Sequence, residues 1–147
     1  MISDLRRSKR YTDFLPISVT AMSGKTQTTI AGPFSGRIID ISRNGACLLM
    51  TQVLLDTYHV YHSTKDDDSA YLQININLPP DLMEYKIPAQ PVWLGPFDIE
   101  DIKAYRMGVD FMINPEGEQM RELEKILMKK EKKRDELWAA MIMPMKK

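Results

Sequence analysis

The sequence is poor in the features that assign many proteins to a class at once. Its single cysteine, Cys47, cannot form a disulfide within the chain, so a reducing cytoplasm is the expected location. No apolar run approaches the roughly 18 residues of a membrane span, and the opening MISDLRRSKR lacks the apolar core of a signal peptide. The formal net charge is zero, which argues against binding of nucleic acid or membrane by the charge of the whole protein. Any site for an anion must therefore be local.

The composition that remains is typical of one globular domain. A chain of 147 residues can bury one core and is too short for two ordinary domains. Hydrophobic residues make up 44% of the chain and charged residues 27%, which is a globular balance. We expect Cys47, within the apolar stretch ACLLM, to be a small core residue.

The distribution of branched and aromatic residues predicts β-strands along most of the chain. The clearest pattern is LQININL, in which apolar residues alternate with Gln and Asn, so one face is buried and one is wet. Asn114 and Pro115 then predict a helix start, and Met120, Leu123 and Leu127 form one apolar stripe. We predict a mainly β fold, a small antiparallel six- or seven-stranded β-barrel with a C-terminal α-helix. The predicted strands are Pro16–Met22, Gly36–Ile41, Ala46–Met50, Tyr71–Leu78, Glu84–Leu94 and Tyr105–Ile113.

The stretch DISRNGACLLM, residues 40–50, predicts a hairpin with polar side chains beside its turn. Asn-Gly between apolar runs favours a tight turn, because both residues tolerate positive φ. Strand alternation puts Asp40 and Ser42 on one face and Ile39 and Ile41 on the other. Either the polar pair caps the turn, or it is held ready for a ligand.

The N-terminal RRSKR supplies cations that would suit such a ligand. Arg6 and Arg10 are four residues apart and lie on one side of a helix or an extended segment. Guanidinium groups bind planar acceptors or phosphates bidentately, and an arginine with a carboxylate could contact two edges of one guanine. The alternative is a solvated basic segment.

These motifs together resemble the PilZ domain, a bacterial receptor for cyclic di-GMP. The resemblance rests on R-x-x-x-R at Arg6 to Arg10, D-x-S-x-x-G at Asp40 to Gly45, and Gly108-Val109-Asp110-Phe111 before the final helix. It implies that Arg6 and Arg10 hold guanine and phosphate oxygens, with Arg7 as an auxiliary phosphate contact. It also implies that Asp40 and Ser42 contact a guanine edge. Gly45 would let the backbone approach the ligand, and Trp93 and Gly108 are secondary candidates, Trp93 as a stacking surface or a core residue.

The resemblance and the charge pattern divide the chain into three parts. Residues 1–13 are a basic arm, expected to be mobile until the ligand orders it and so alters a surface for a partner protein. Residues 14–128 form the PilZ-like barrel with its helix, in which the polar segment 51–70 is an insertion that could shield the site. Residues 129–147 are a charged helical extension whose apolar tip predicts a homodimer first, then a partner groove or an anionic lipid surface. The alternative is that the tip packs back on the barrel.

Three other functions are weighed against this interpretation. A PilZ-fold adaptor for pilus or flagellar control would act by protein contacts without nucleotide. A small barrel for single-stranded nucleic acid needs aromatic platforms along a basic groove, and aromatics are only 8%. His59 and His62 have no evident third metal ligand, and no catalytic constellation is present, so we predict no enzyme, no metal and no cofactor. We expect no stable membrane insertion.

Overall fold

A computed structural model of the chain describes residues 15–78, 82–99 and 102–129. The predicted arm, residues 1–13, lies outside the described residues, as does all of the predicted extension after residue 129. Arg6, Arg7 and Arg10 are among the residues that the structure does not describe.

Strands account for most of the described chain. The N-terminal half contains β1 (Leu15–Ser23), β2 (Thr29–Ile41), β3 (Gly45–Met50), β4 (Leu54–Leu55) and β5 (Tyr58–His59), followed by the short helix α1 (His62–Asp66). The second half contains β6 (Ala70–Leu78), β7 (Leu82–Ile99) and β8 (Ile102–Phe111). The chain is then helical over residues 118–129, here called α2.

Six of the strands close into an antiparallel barrel in the order β1-β2-β3-β8-β7-β6, and β6 pairs with β1 to complete it. The predicted mainly β barrel with a C-terminal helix is confirmed, and the number of barrel strands is six. No helix among the described residues is both long and apolar enough to cross a membrane.

Inward-facing side chains fill the barrel, as strand alternation requires. Leu72, Ile74 and Ile76 of the LQININL stretch are fully buried. The predicted stripe of α2 is also buried in this core. Its members are Met120, Leu123 and Leu127.

Several boundaries differ from the prediction: β7 continues to Ile99 rather than Leu94, β8 begins at Ile102 rather than Tyr105, and two further differences have a clear local cause. β2 begins at Thr29 rather than near Gly36. The register against β1 shifts at Gly32-Pro33, so these two residues interrupt the strand pairing without ending the strand. The final helix begins at residue 118 rather than at Pro115. Asn114 instead accepts the Glu116 amide through Oδ1 at 3.0 Å, and the Gly117 carbonyl accepts the first helical bond from Arg121.

Polar contacts hold α2 against the strands. The Tyr85 hydroxyl donates to the Gln119 carbonyl, and the Gln119 side chain donates to the Lys86 carbonyl at 2.7 Å. Burial, and next the charge of Glu122, raise the pKa of Tyr85 to about 12.

Candidate functional site

Four residues form a row across the outer face of the barrel. In the register of the sheet, Asp40 of β2 lies opposite Cys47 of β3, and Cys47 lies opposite Gly108 of β8. Gly108 is in turn paired with Trp93 of β7. An acid and an indole, 53 positions apart in the sequence, therefore stand at the two ends of one row whose middle residues are small.

A β-bulge lies beside each end of this row. The register of β2 against β3 shifts between Ile38 and Asp40, and that of β7 against β8 shifts between Pro91 and Trp93. A bulge adds one residue to a strand and redirects the side chains that follow it. The predicted alternation of Ile39 and Ile41 is therefore wrong: Ile41 is buried in the core, whereas Ile39 is the extra residue of the bulge and is only partly buried.

The predicted hairpin is present, but its turn differs from the expected Asn-Gly turn. β2 ends at Ile41 and β3 begins at Gly45, and neither Asn44 nor Gly45 has a positive φ. The Ser42 amide donates to the Gly45 carbonyl at 2.9 Å, while the Ser42 hydroxyl lies 3.5 Å from the same oxygen. The Ser42 side chain therefore caps the turn only weakly, because a hydrogen bond of that length is weak. The hydroxyl is left available to a ligand.

Gly45 is needed for the approach of two backbones. A Cβ on Gly45 would lie 2.1 Å from the carbonyl oxygen of Val109 on β8, a distance that real contacts do not reach. The glycine therefore allows β3 and β8 to pair at this point, beside the cavity described below.

Trp93 lies directly over Gly108. A Cβ on Gly108 would be 2.0 Å from the indole nitrogen of Trp93, so only glycine leaves room for the ring. The tryptophan is 44% exposed and is not a core residue. An indole held against the backbone with part of its surface in solvent is an available stacking surface.

The row is the floor of a cavity of about 200 Å³ on the outer surface. Its polar lining includes the carboxylates of Asp40 and Asp110 and the side chains of Ser42 and Asn44, with Val92 and Trp93 on the opposite side. No lysine, arginine or histidine is among the described residues that line it. The cavity can therefore accept hydrogen bonds from a ligand, but its described walls offer no cation to a phosphate.

The prediction that Cys47 is a core residue is wrong. Cys47 is only partly buried and lines the cavity, whereas Leu48, the next residue, is fully buried. The apolar run ACLLM concealed the alternation, because both faces of β3 carry apolar side chains here.

The loop of the hairpin is also connected to α2. Arg43 Nε donates to Glu124 Oε1 at 3.0 Å, and the Glu124 side chain is only 14% exposed. The loop that follows Asp40 is thereby linked to the C-terminal helix.

The structure brings together five of the eight sequence-predicted site residues. They are Asp40, Ser42, Gly45, Trp93 and Gly108, all of which line the cavity. The role of each in binding stays a prediction, as do those of Arg6, Arg7 and Arg10. Sequence analysis missed Val92, Asn44 and Asp110 as lining residues. Asn44 and Asp110 are within the quoted motifs, whereas Val92 is marked only by the proline that precedes it, Pro91, a residue that sheets tolerate at bulges.

The geometry defines a six-stranded barrel that carries an external cavity between a hairpin acid and a tryptophan. The family described as PilZ domain matches residues 4–129 of this chain, which covers most of its length. The chain belongs to the PilZ domain family.

Solved structures share the fold at low sequence identity. The PilZ domain of YcgR from Escherichia coli, solved with c-di-GMP, is 18% identical with a TM-score of 0.58, and the match covers 89% of this chain and 95% of that one. MrkH, described as a c-di-GMP-dependent transcription regulatory factor, is 17% identical with a TM-score of 0.51, over 84% of this chain and 50% of that one. No curated protein matches the chain.

Proposed function

We propose that this protein is a cyclic di-GMP receptor that binds the dinucleotide at the external cavity and does not degrade it. The observation that carries the proposal is one external cavity of a PilZ barrel that is lined by the Asp40 carboxylate at one end of a row and by the Trp93 indole at the other. The likeness to the c-di-GMP-bound YcgR domain supports the same ligand class.

The charge of the cavity suits a guanine edge better than a phosphate. Guanine presents N1–H and N2–H₂ donors, and the carboxylates of Asp40 and Asp110 offer acceptor oxygens. Two carboxylates would repel a phosphate at this point. The cations for the phosphates must come from elsewhere, and Arg6, Arg7 and Arg10 are the candidates that the family motif names.

The size of the cavity supports one base as its occupant. At about 200 Å³ it is smaller than the roughly 300–1,000 Å³ of pockets that enclose a whole drug-sized ligand. The remainder of the dinucleotide would lie over the outer face, where the N-terminal arm can cover it. Binding would order that arm and so change the surface that a partner protein meets. Amide exchange of residues 5–11 should slow with ligand, and equal exchange in both states contradicts this part.

Isothermal titration with cyclic di-GMP tests the function. Replacing Asp40 with Ala should weaken binding by about 1.5–3 kcal/mol, the range for a hydrogen bond to a charged group. Asp98→Ala is the matched control, because Asp98 is an exposed acid on β7 that does not line the cavity. Arg10→Ala should weaken binding by a similar amount, and unchanged affinity there would remove the arginine assignment.

The titration also separates the competing functions. A wild type that does not bind at high micromolar ligand would overturn the proposal and favour the adaptor that acts through protein contacts alone. Displacement of the ligand by oligonucleotides, with a strong dependence on salt, would favour the nucleic-acid alternative. Recovery of intact dinucleotide after prolonged incubation is expected, and its hydrolysis would show an enzyme.

The proposed homodimer through the C-terminal extension rests on the sequence. Leu137, Trp138, Met141 and Ile142 recur at helical spacing after a run of charged residues, and an uncovered apolar patch favours association. Truncation after Glu136 should then change the native mass from dimer to monomer while ligand binding survives. A full-length monomer that unfolds on truncation would contradict it.

A further inference from the structure

The predicted insertion of residues 51–70 is folded onto the barrel, and its last residue, Ala70, begins β6. Its hairpin β4–β5 leads into α1, and Val60 between them is fully buried in the hydrophobic core. The Tyr58 hydroxyl forms a hydrogen bond with the Thr64 hydroxyl at 2.9 Å within the insertion. The segment is thus anchored by an apolar side chain and has internal polar contacts of its own, which makes it a structured part of the domain.

Tyr61 is held from both sides. Its backbone amide and that of His62 donate to His59 Nδ1, each at 3.1 Å. Its ring packs against the core beside the buried Val60. Burial, and next the charge of His62, lower the pKa of His59 below its ordinary value, which favours the neutral imidazole that can accept these bonds. The backbone at Tyr61 is therefore held by His59, and the side chain by its packing against the core.

The Tyr61 hydroxyl reaches the strand that carries the tryptophan. It donates to the Val92 carbonyl of β7 at 3.1 Å. Val92 is the extra residue of the β7 bulge, and β7 at this point has passed the last residue that pairs with β6, which is Ala89 among the described pairs. The tyrosine hydroxyl thus gives the carbonyl of the bulge residue a donor from outside the barrel ladder.

Val92 and Trp93 both line the cavity, whereas Tyr61 does not. We propose that Tyr61 is a positioning residue that braces the Val92–Trp93 side of the cavity, so that the insertion sets the affinity for a planar ring stacked on Trp93. The ligand part of this proposal rests on the proposed function. The placement of the tryptophan in the free protein does not depend on it.

The two tryptophans of the chain allow a direct test by fluorine NMR. Protein labelled with 5-fluorotryptophan should give one resonance for Trp93 and one for Trp138, assigned with Trp138→Phe. Tyr61→Phe should shift the Trp93 resonance and leave that of Trp138 in place. It should also weaken cyclic di-GMP binding by about two- to ten-fold, because the coupling cannot exceed the net value of the lost hydrogen bond.

Tyr71→Phe is the matched control. The Tyr71 hydroxyl donates to the Gln27 side chain at 3.2 Å, a bond of similar length, and neither residue lines the cavity. This variant should leave the Trp93 resonance and the affinity unchanged. A Tyr61→Phe protein that melts earlier than wild type but keeps both the resonance and the affinity would overturn the proposal, because that is the result of a purely structural bond.

The same measurements distinguish failure of the proposed function from failure of the positioning role of Tyr61. If the wild type does not bind cyclic di-GMP, the ligand part is overturned with it. The shift of the Trp93 resonance on Tyr61→Phe then decides the positioning part alone, and an unmoved resonance overturns that part as well.

Discussion

Gly108→Ala should damage the site while it spares the fold. The added Cβ would lie 2.0 Å from the nearest indole atom of Trp93, and an ordinary carbon contact is about 3.5 Å, so the ring must move by about 1.5 Å. Trp93 is 44% exposed and can swing outward into solvent. We therefore expect a net change in the free energy of unfolding within about 1–2 kcal/mol, because a strand alanine offsets part of the strain.

Gly108→Ala should weaken ligand binding, because it displaces the stacking surface. Base–aromatic stacking is worth about 1–3 kcal/mol per base, and a displaced indole loses that geometry. Titration should show cyclic di-GMP binding weakened by about five-fold to 150-fold, and urea unfolding on the same samples gives the stability.

Two other glycines provide the controls for this substitution. A Cβ on Gly95 of β7 has no neighbour within 4 Å, so Gly95→Ala should leave both binding and stability near the wild-type values. A Cβ on Gly45 would meet the Val109 backbone at 2.1 Å, and backbone cannot swing away. Gly45→Ala should therefore destabilise the fold by about 2 kcal/mol or more. Wild-type affinity of a folded Gly108→Ala protein would refute the assignment of Trp93 to the ligand.

Three further predictions concern titration and the attachment of α2. Acidification should loosen the insertion, because the pKa of His59 is lowered from 6.5 in the folded protein. The stability that the neutral His59 contributes is therefore complete above pH 6.5 and is lost as the pH falls through the lowered pKa. Amide exchange of residues 58–66 at about pH 7.5 and about pH 5 would detect this, and equal protection would contradict it. Glu124→Gln should lower the free energy of unfolding by no more than about 1 kcal/mol, since its partner Arg43 is 43% exposed. Added salt should reduce this loss of stability, and a loss that salt does not change would exclude the ion pair as its cause. The pKa of Tyr85 is raised from 10.0 to about 12, so its contribution is complete below pH 10 and is lost as the pH rises toward 12; Tyr85→Phe should lack this alkaline loss of stability, and an identical loss would refute the assignment.

The strands were predictable because their signal is local. Alternation in LQININL depends on neighbours two residues apart, and Leu72, Ile74 and Ile76 are buried as it requires. The helical stripe of α2 is local in the same way. The start of α2 was misplaced because Asn114 can bond either a turn amide or a helix amide, and the sequence does not distinguish these.

The arrangement of the site depends on register, which sequence does not reveal. Gly45 is required by the approach of Val109, and Gly108 by the ring of Trp93, both of which are pairings between distant segments. The bulge at Val92 sets the second pairing, and its one local signal is Pro91, because a proline within a strand is tolerated at a bulge but is equally compatible with an edge. The fold of the insertion could not be predicted for another reason. Val60, its one fully buried apolar side chain before β6, lies in a polar stretch without periodicity.

The position of the cavity follows from the size of the barrel. Even about eight strands leave an interior just wide enough for side chains, so six strands that bury a full core leave no room for a ligand inside. A binding site must then lie outside, on a surface that is convex. Here the middle of the row is kept low by Cys47 and Gly108, while bulges beside Asp40 and Trp93 redirect the side chains at its two ends. A low floor between two raised ends is a concavity, and it has an acceptor of hydrogen bonds at one end and a stacking surface at the other.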